Sequence, residues 1–186
     1  MNQFKNFFYL KKLSTRELCT LSLLLAIAVI MGLFFTFRIG NLIKIPTKFI
    51  PIAISSMLFG PIWGGLTGLL ADTFSYLLNP TSGMFMPQIT FVEFLYGFTY
   101  GLFLRYATSS SKSHLRAILC ILFQIVFLHL LLTTYFLVPV IGATFKSLLI
   151  SRLPAAGINA ILQSAGLFII IKNSTLLHKF SGGNKS

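Results

Sequence analysis

Of 186 residues only three are acidic, Glu17, Asp72 and Glu93, and the last two stand inside long apolar runs. Burying a carboxylate in lipid is costly, so an acid kept there faces a cation, a proton path or a ligand. Asp72 ends the run FGPIWGGLTGLLAD, and Glu93 follows the charge-free loop Asn79 to Thr90. Against them stand five cations, Arg38, Lys44, Lys48, Lys146 and Arg152, in two connections that hold no acid. Carboxylates in an apolar wall with cations nearby can recognise a small molecule that has both donor and anionic groups. Other chemistries have less support. His129 has no second His, Cys or acid at metal spacing, and no Ser-His pairing points to a protease. No phosphate-binding loop is present, so any ATP is hydrolysed elsewhere. Cys19 and Cys120 lie in apolar runs without a redox or ligand motif and read as packing residues. No cofactor is called for.

The elements that must position these residues are membrane helices. The chain is 55% hydrophobic and 10% charged, against about 25% charged in a soluble domain. Its apolar runs reach the roughly 20 residues that cross a bilayer. The net charge of +12 lies between these runs, where Lys and Arg anchor helix ends and set orientation, rather than in a groove for nucleic acid. Residues 1–14 alternate aromatics with Lys and read as an interfacial segment, not as a cleaved signal. Ser14 and Glu17 form a capping box that opens helix one, about Thr15 to Phe37. Phe49 to Leu78 is too long for one crossing, and Gly60-Pro61 is the place to turn, with Pro61 at the first position of the next helix. Helix four runs from about Ile89 to Arg105. Helix five runs from Arg116 to about Val138 and is ended by Pro139 and Gly142. Ala143 to Leu153 is a connection, and helix six follows to about Ile171. The membrane domain thus covers 15–172, and 173–186 is a polar tail.

This is an all-α membrane protein of about six helices. With the N-terminus inside, Lys5, Lys11, Lys12, Arg16, Arg105, Lys112, Arg116, Lys172, Lys179 and Lys185 lie inside, against the five cations named above outside. That excess places both termini in the cytoplasm. The outer cations then exceed what orientation needs and point to an anion captured from outside. Helix one has small residues at Cys19, Ser22 and Ala26, and again at Ala28 and Gly32. Such stripes allow close helix approach in lipid, to a partner or within the bundle.

The segment KIPTKFIPIAISSMLFGPIWGGLTGLLAD, the loop NPTSGMF and the run FLYGFTYGLF resemble the substrate-binding S component of energy-coupling-factor vitamin transporters, and among these the folate family. The likeness runs from helix one to Arg152. It implies a six-helix bundle with the vitamin held near the outer face under loops one-two, three-four and five-six. It implies no ATPase activity in this chain. It also implies association with a transmembrane coupling subunit and two ATPase subunits, with Cys19, Ser22 and Ala26 in the docking stripe. The chain departs from the family pattern at Pro87-Gln88-Ile89-Thr90, where PGFT is usual. It departs again at Leu132-Thr133-Thr134-Tyr135-Phe136, in place of an Asn-Thr-Leu-Trp-like run.

For folate, Asp72 or Glu93 would accept bonds from the pterin amino and ring N–H groups, with an internal pair to Lys or Arg as the other role open to Asp72. Arg38, Lys44 and Arg152 would hold the anionic tail, with Lys48 and Lys146 as weaker candidates. Gln88, Thr90, Asn159 and Gln163 offer neutral bonds, and Phe85, Tyr96 and Tyr135 offer stacking. His129 with Thr133 reads as a packing hydrogen bond. Another vitamin (thiamine or a pyrimidine, riboflavin, a queuosine precursor) remains open, as does a small membrane enzyme or structural protein that uses Asp72 and Glu93.

Overall fold

The computed structural model describes residues 13–34, 37–39, 43–45, 47–79, 85–104, 113–142 and 144–172. The proposed interfacial segment, apart from Leu13 and Ser14, and the polar tail lie outside them. The capping box forms as the spacing predicts. The Ser14 backbone N–H donates to Glu17 Oε2 at 2.9 Å, and the Glu17 N–H donates to Ser14 Oγ at 3.4 Å. These bonds satisfy donors that helix geometry leaves free. Helix α1, Thr15–Phe34, follows. A short antiparallel hairpin comes next, β1 Phe37–Ile39 against β2 Ile43–Ile45, with Arg38 opposite Lys44. The sequence reading treated this stretch as an irregular connection.

Helix α2, Phe49–Phe59, has 11 residues, of which eight are buried. At 1.5 Å per residue it is too short to span a hydrocarbon core of about 30 Å, and it runs inside the protein instead. Gly60 turns the chain with φ 101°, a value that disfavours any side chain. Pro61 then starts α3, Pro61–Leu78, and α4 is Pro87–Leu104. Helices α2, α3 and α4 approach through small residues. A Cβ on Gly97 would meet the Gly64 carbonyl, and one on Gly64 would meet Ser56. The Ser56 hydroxyl donates to the Gly97 carbonyl at 2.8 Å. Contact this close between backbones is the packing that small residues permit in membranes.

Helix α5, Ser113–Phe123, passes without a break into a π-helical stretch, Gln124–Leu132, and then α6, Thr133–Ile141. Both the Thr133 N–H and its hydroxyl donate to the Leu128 carbonyl, the hydroxyl at 2.7 Å, where the wide turn closes. Pro139 was expected to end this helix. It lies inside α6 instead, and the chain stops at left-handed Gly142 (φ 69°). Helix α7, Phe145–Lys172, is a single run of 28 residues with Pro154 inside it. The expected connection up to Leu153 is therefore corrected. Membrane helices tolerate internal proline because neighbours and local adjustment satisfy the freed carbonyl. Counting α5, the π stretch and α6 as one rod gives six rods among the described residues. Three rods are long and apolar enough to cross a bilayer: Thr15–Phe34, Leu115–Val140 and Phe145–Lys172.

The core joins Ala28, Ile52, Ala53, Ala71, Tyr100, Leu104, Cys120 and Leu167 from all six rods. The two stripes of α1 separate here. Ala28 is fully buried, and Gly32 lies against Ser75 of α3, while Cys19, Ser22 and Ala26 are exposed. The second pair packs the bundle, and the first looks outward.

Candidate functional site

Lys48 before α2, Asp72 on α3 and Glu93 on α4 bring the acids together beside the cavity. Lys48 immediately precedes α2, and its side chain is only 7% exposed. Its Nζ donates to Asp72 Oδ1 at 2.7 Å and lies 3.0 Å from Glu93 Oε1. Thr90 Oγ1 donates to Asp72 Oδ2 at 3.0 Å. One ammonium thus serves two carboxylates from α3 and α4. Neither acid is uncompensated, which is the condition for keeping charge away from water.

A cavity of about 250 Å³ opens beside this cluster. Lys48, Phe49 and Ile52 form one wall, and Ile89, Val92, Glu93, Tyr96 and Tyr100 of α4 form the next. The opposite wall has two sources. One is Ile125, His129, Thr133 and Leu137, at intervals of four along the π stretch and α6. The other is Arg152, Asn159 and Gln163 of α7. The polar groups of this wall are incompletely paired. His129 Nε2, Arg152 Nη1 and Gln163 Oε1 are buried without a hydrogen-bond partner among the described residues. Tyr100 Oη, on the α4 wall, is unpartnered too. Buried polar atoms are nearly always bonded, so four orphans around one space mark a place where another molecule's groups belong. Gln124, one turn from His129, is instead used internally, and its Nε2 donates to Thr99 Oγ1 at 2.8 Å and to the Tyr96 carbonyl at 3.2 Å.

Of the residues the sequence singled out, the structure brings Glu93, Tyr96, Arg152, Asn159 and Gln163 to the cavity. Asp72 is not among its lining residues. It is engaged by Lys48 and Thr90, the internal pair that the sequence reading left open. Thr90 is buried against Asp72. Gln88 is exposed on the first turn of α4 and does not line the cavity. Phe85 lies tilted against Tyr76 and Tyr135 meets Phe136 edge-on, and Phe85 and Tyr135 are exposed and away from the lining. Lys146 is exposed as well. Arg38 and Lys44 are register partners of a hairpin whose second strand lies against α7. Three polar lining residues were not chosen as ligand contacts: Tyr100, and His129 and Thr133, which were read as a packing pair. Their signal was positional, since Tyr100 is one turn after Tyr96, and His129 shares a four-residue spacing with Ile125 and Thr133.

A buried cation–acid cluster beside a cavity with unpaired polar atoms, in a six-rod bundle, defines a membrane protein that takes up a small molecule. The chain belongs to the family of ECF transporter substrate-specific components, whose model matches residues 16–171. It is thus a multi-pass membrane transport subunit, not an enzyme. It is 31% identical over 112 residues to the folate transporter FolT of Clostridium novyi (strain NT), a match that covers 60% of this chain and 63% of that relative. In structure it is similar to FolT bound with folic acid, with TM-score 0.76 and 28% identity over 86% of this chain and 95% of that one. An S component of a bacterial ECF transporter (TM-score 0.67, 21% identity) and ThiT from Listeria monocytogenes (0.66, 18%) share the fold. They cover 87% of this chain and 97% and 96% of their own.

Proposed function

We propose that this chain captures folate on the outer side of the membrane and delivers it inward when docked on a transmembrane coupling subunit driven by two ATPase subunits. The observation that carries the folate reading is the cavity itself. It pairs a carboxylate, Glu93, on one wall with the unpaired polar atoms of Arg152, His129 and Gln163 on the other. A volume of about 250 Å³ falls just below the roughly 300–1,000 Å³ of pockets for drug-sized ligands. It therefore suits the ring system, with the tail leading towards the hairpin. Glu93 accepts from the ring's amino and N–H edge, and Tyr96 lies beside it. Arg152 takes an acceptor of the ring or the first anionic group. Arg38 and Lys44, register partners on the hairpin, serve the tail carboxylates. The likeness to a folate-bound FolT structure and to a FolT sequence supports the same ligand. The excess of Lys and Arg on the inner segments supports cytoplasmic termini and an outward mouth. Cys19, Ser22 and Ala26, exposed on α1, serve the coupling subunit.

Thermal unfolding of the purified protein in detergent tests the ligand, because a molecule bound only by the native state raises the midpoint. Folate raises the midpoint of the unaltered protein. Arg152→Gln weakens folate about 10- to 100-fold, the value of one hydrogen bond to a charged group. No shift at saturating folate, alongside a shift with thiamine or riboflavin, would replace the ligand and leave the transport class in place.

A further inference from the structure

Glu93 is placed by more than its own helix. Its carboxylate lies 3.0 Å from the Lys48 ammonium, which also receives Asp72 at 2.7 Å. Lys48 and Glu93 both line the cavity, while Asp72 is turned away from it and steadied by Thr90. Two carboxylates bound to one nitrogen lie within the roughly 4–6 Å over which charges couple strongly. The charged and titratable groups around this point come from every neighbouring element. Lys48 comes from the turn before α2, Asp72 from α3, Glu93 and Tyr96 from α4, His129 from the π stretch and Arg152 from α7. Arg152 belongs to the opposite wall, and Lys48 is a cation that bonds both acids.

We propose that Lys48 is a positioning residue for ligand selection. Clamped between Asp72 and Glu93, it keeps both acids ionised and aims the Glu93 carboxylate into the cavity as a pure acceptor. The site then selects a ring whose edge presents adjacent N–H donors and rejects the same ring with a carbonyl there. Asp72 is the outer anchor of the clamp, and its pairing with Thr90 sets the ammonium at the right depth. This rests on the folate reading for the identity of the ring but not for the state of the acids. Without the ammonium, two coupled carboxylates share a proton. Glu93 then presents either a donor or an acceptor that Lys48 no longer aims, and the selection disappears.

The test uses the full chain in detergent, with pterin and lumazine as probes. They are the same bicycle with an amino group or a carbonyl at the recognised edge. The unaltered protein prefers pterin by at least about a hundredfold, since a site built for hydrogen bonds strongly rejects a partner that leaves them unmade. Lys48→Arg keeps most of that preference. The double variant Lys48→Met with Asp72→Asn retains the cluster's single net negative charge but loses the clamp, and its preference falls below about tenfold. A double variant that discriminates like the unaltered protein overturns the proposal. Infrared spectroscopy reads the acids without any ligand. Lys48→Met gains a protonated-carboxyl band that the unaltered protein lacks, and absence of that band also overturns the proposal. If the unaltered protein binds neither probe nor folate, the folate reading falls and the infrared result alone decides the role of Lys48.

Discussion

The two halves of the bundle solve the same membrane problem in opposite ways. In the half formed by α2, α3 and α4, small residues bring backbones into contact at Gly64, Gly97 and Gly101, and one ammonium, Lys48, is shared by the two carboxylates. In the half formed by α5, the π stretch, α6 and α7, nothing approaches Gly142 or Gly157 within 4 Å. There Leu122, Val126, Ile161 and Ile169 face outward, and five buried polar atoms have no hydrogen-bond partner among the described residues, against two in the first half, Ser75 Oγ and Tyr100 Oη. The first half is nearly finished on its own, and the second leaves more polar groups for a ligand. The cavity lies where the two meet, so a fixed wall that carries Glu93 confronts a more adaptable wall that carries Arg152.

Several substitutions break or sharpen this contrast. Gly97→Leu drives a side chain into the Gly64 carbonyl, and we expect no monodisperse folded protein by size exclusion. Gly157→Ala, made in open space, leaves the thermal midpoint unchanged or slightly raised, because Ala favours helix by about 1 kcal/mol over Gly. Equal damage from both would abolish the distinction between the halves. Ala26→Trp tests the outer face of α1, which packs on the finished half. Uptake in reconstituted vesicles with the coupling module is lost while folate affinity is kept, and loss of both would remove the docking role. Gln163→Leu removes an unpaired atom from the adaptable wall. It costs about tenfold in ligand affinity with little change in the midpoint of the empty protein, as measured by calorimetry and unfolding. The smallest effect is that of Thr90→Val, which deletes one bond to Asp72. It lowers stability by about 1 kcal/mol in denaturant titration.

What could be read from sequence followed the same division. Gly60-Pro61, the capping box and the early glycines of α3 are local signals, and each produced the structure that its spacing implies. Lys48 was the hard case. Its partners lie 24 and 45 positions away, and no periodicity connects a residue before α2 to acids on α3 and α4. Pro139 misled because proline ends helices in water, whereas a membrane bundle supplies other partners for the freed carbonyls. The π stretch has no compositional mark, so the facing of His129 was hidden and the residue read as packing. Arg152 was chosen for its charge and placed in a connection. It belongs instead to α7, whose Asn159 and Gln163 line the same cavity seven and eleven residues further on.

The Lys48–Asp72 bond has a mechanical meaning beyond recognition. Helices α2 and α3 are joined at one end by the single residue Gly60 and fastened at the other by that ion pair. A hairpin closed at both ends cannot fray from either. Its amides should exchange with deuterium as one cooperative block, slower than those of α6 and α7, whose connection at Gly142 has no such clasp. Mass-spectrometric exchange would show two separate rates for α2 and α3 if the clasp were idle.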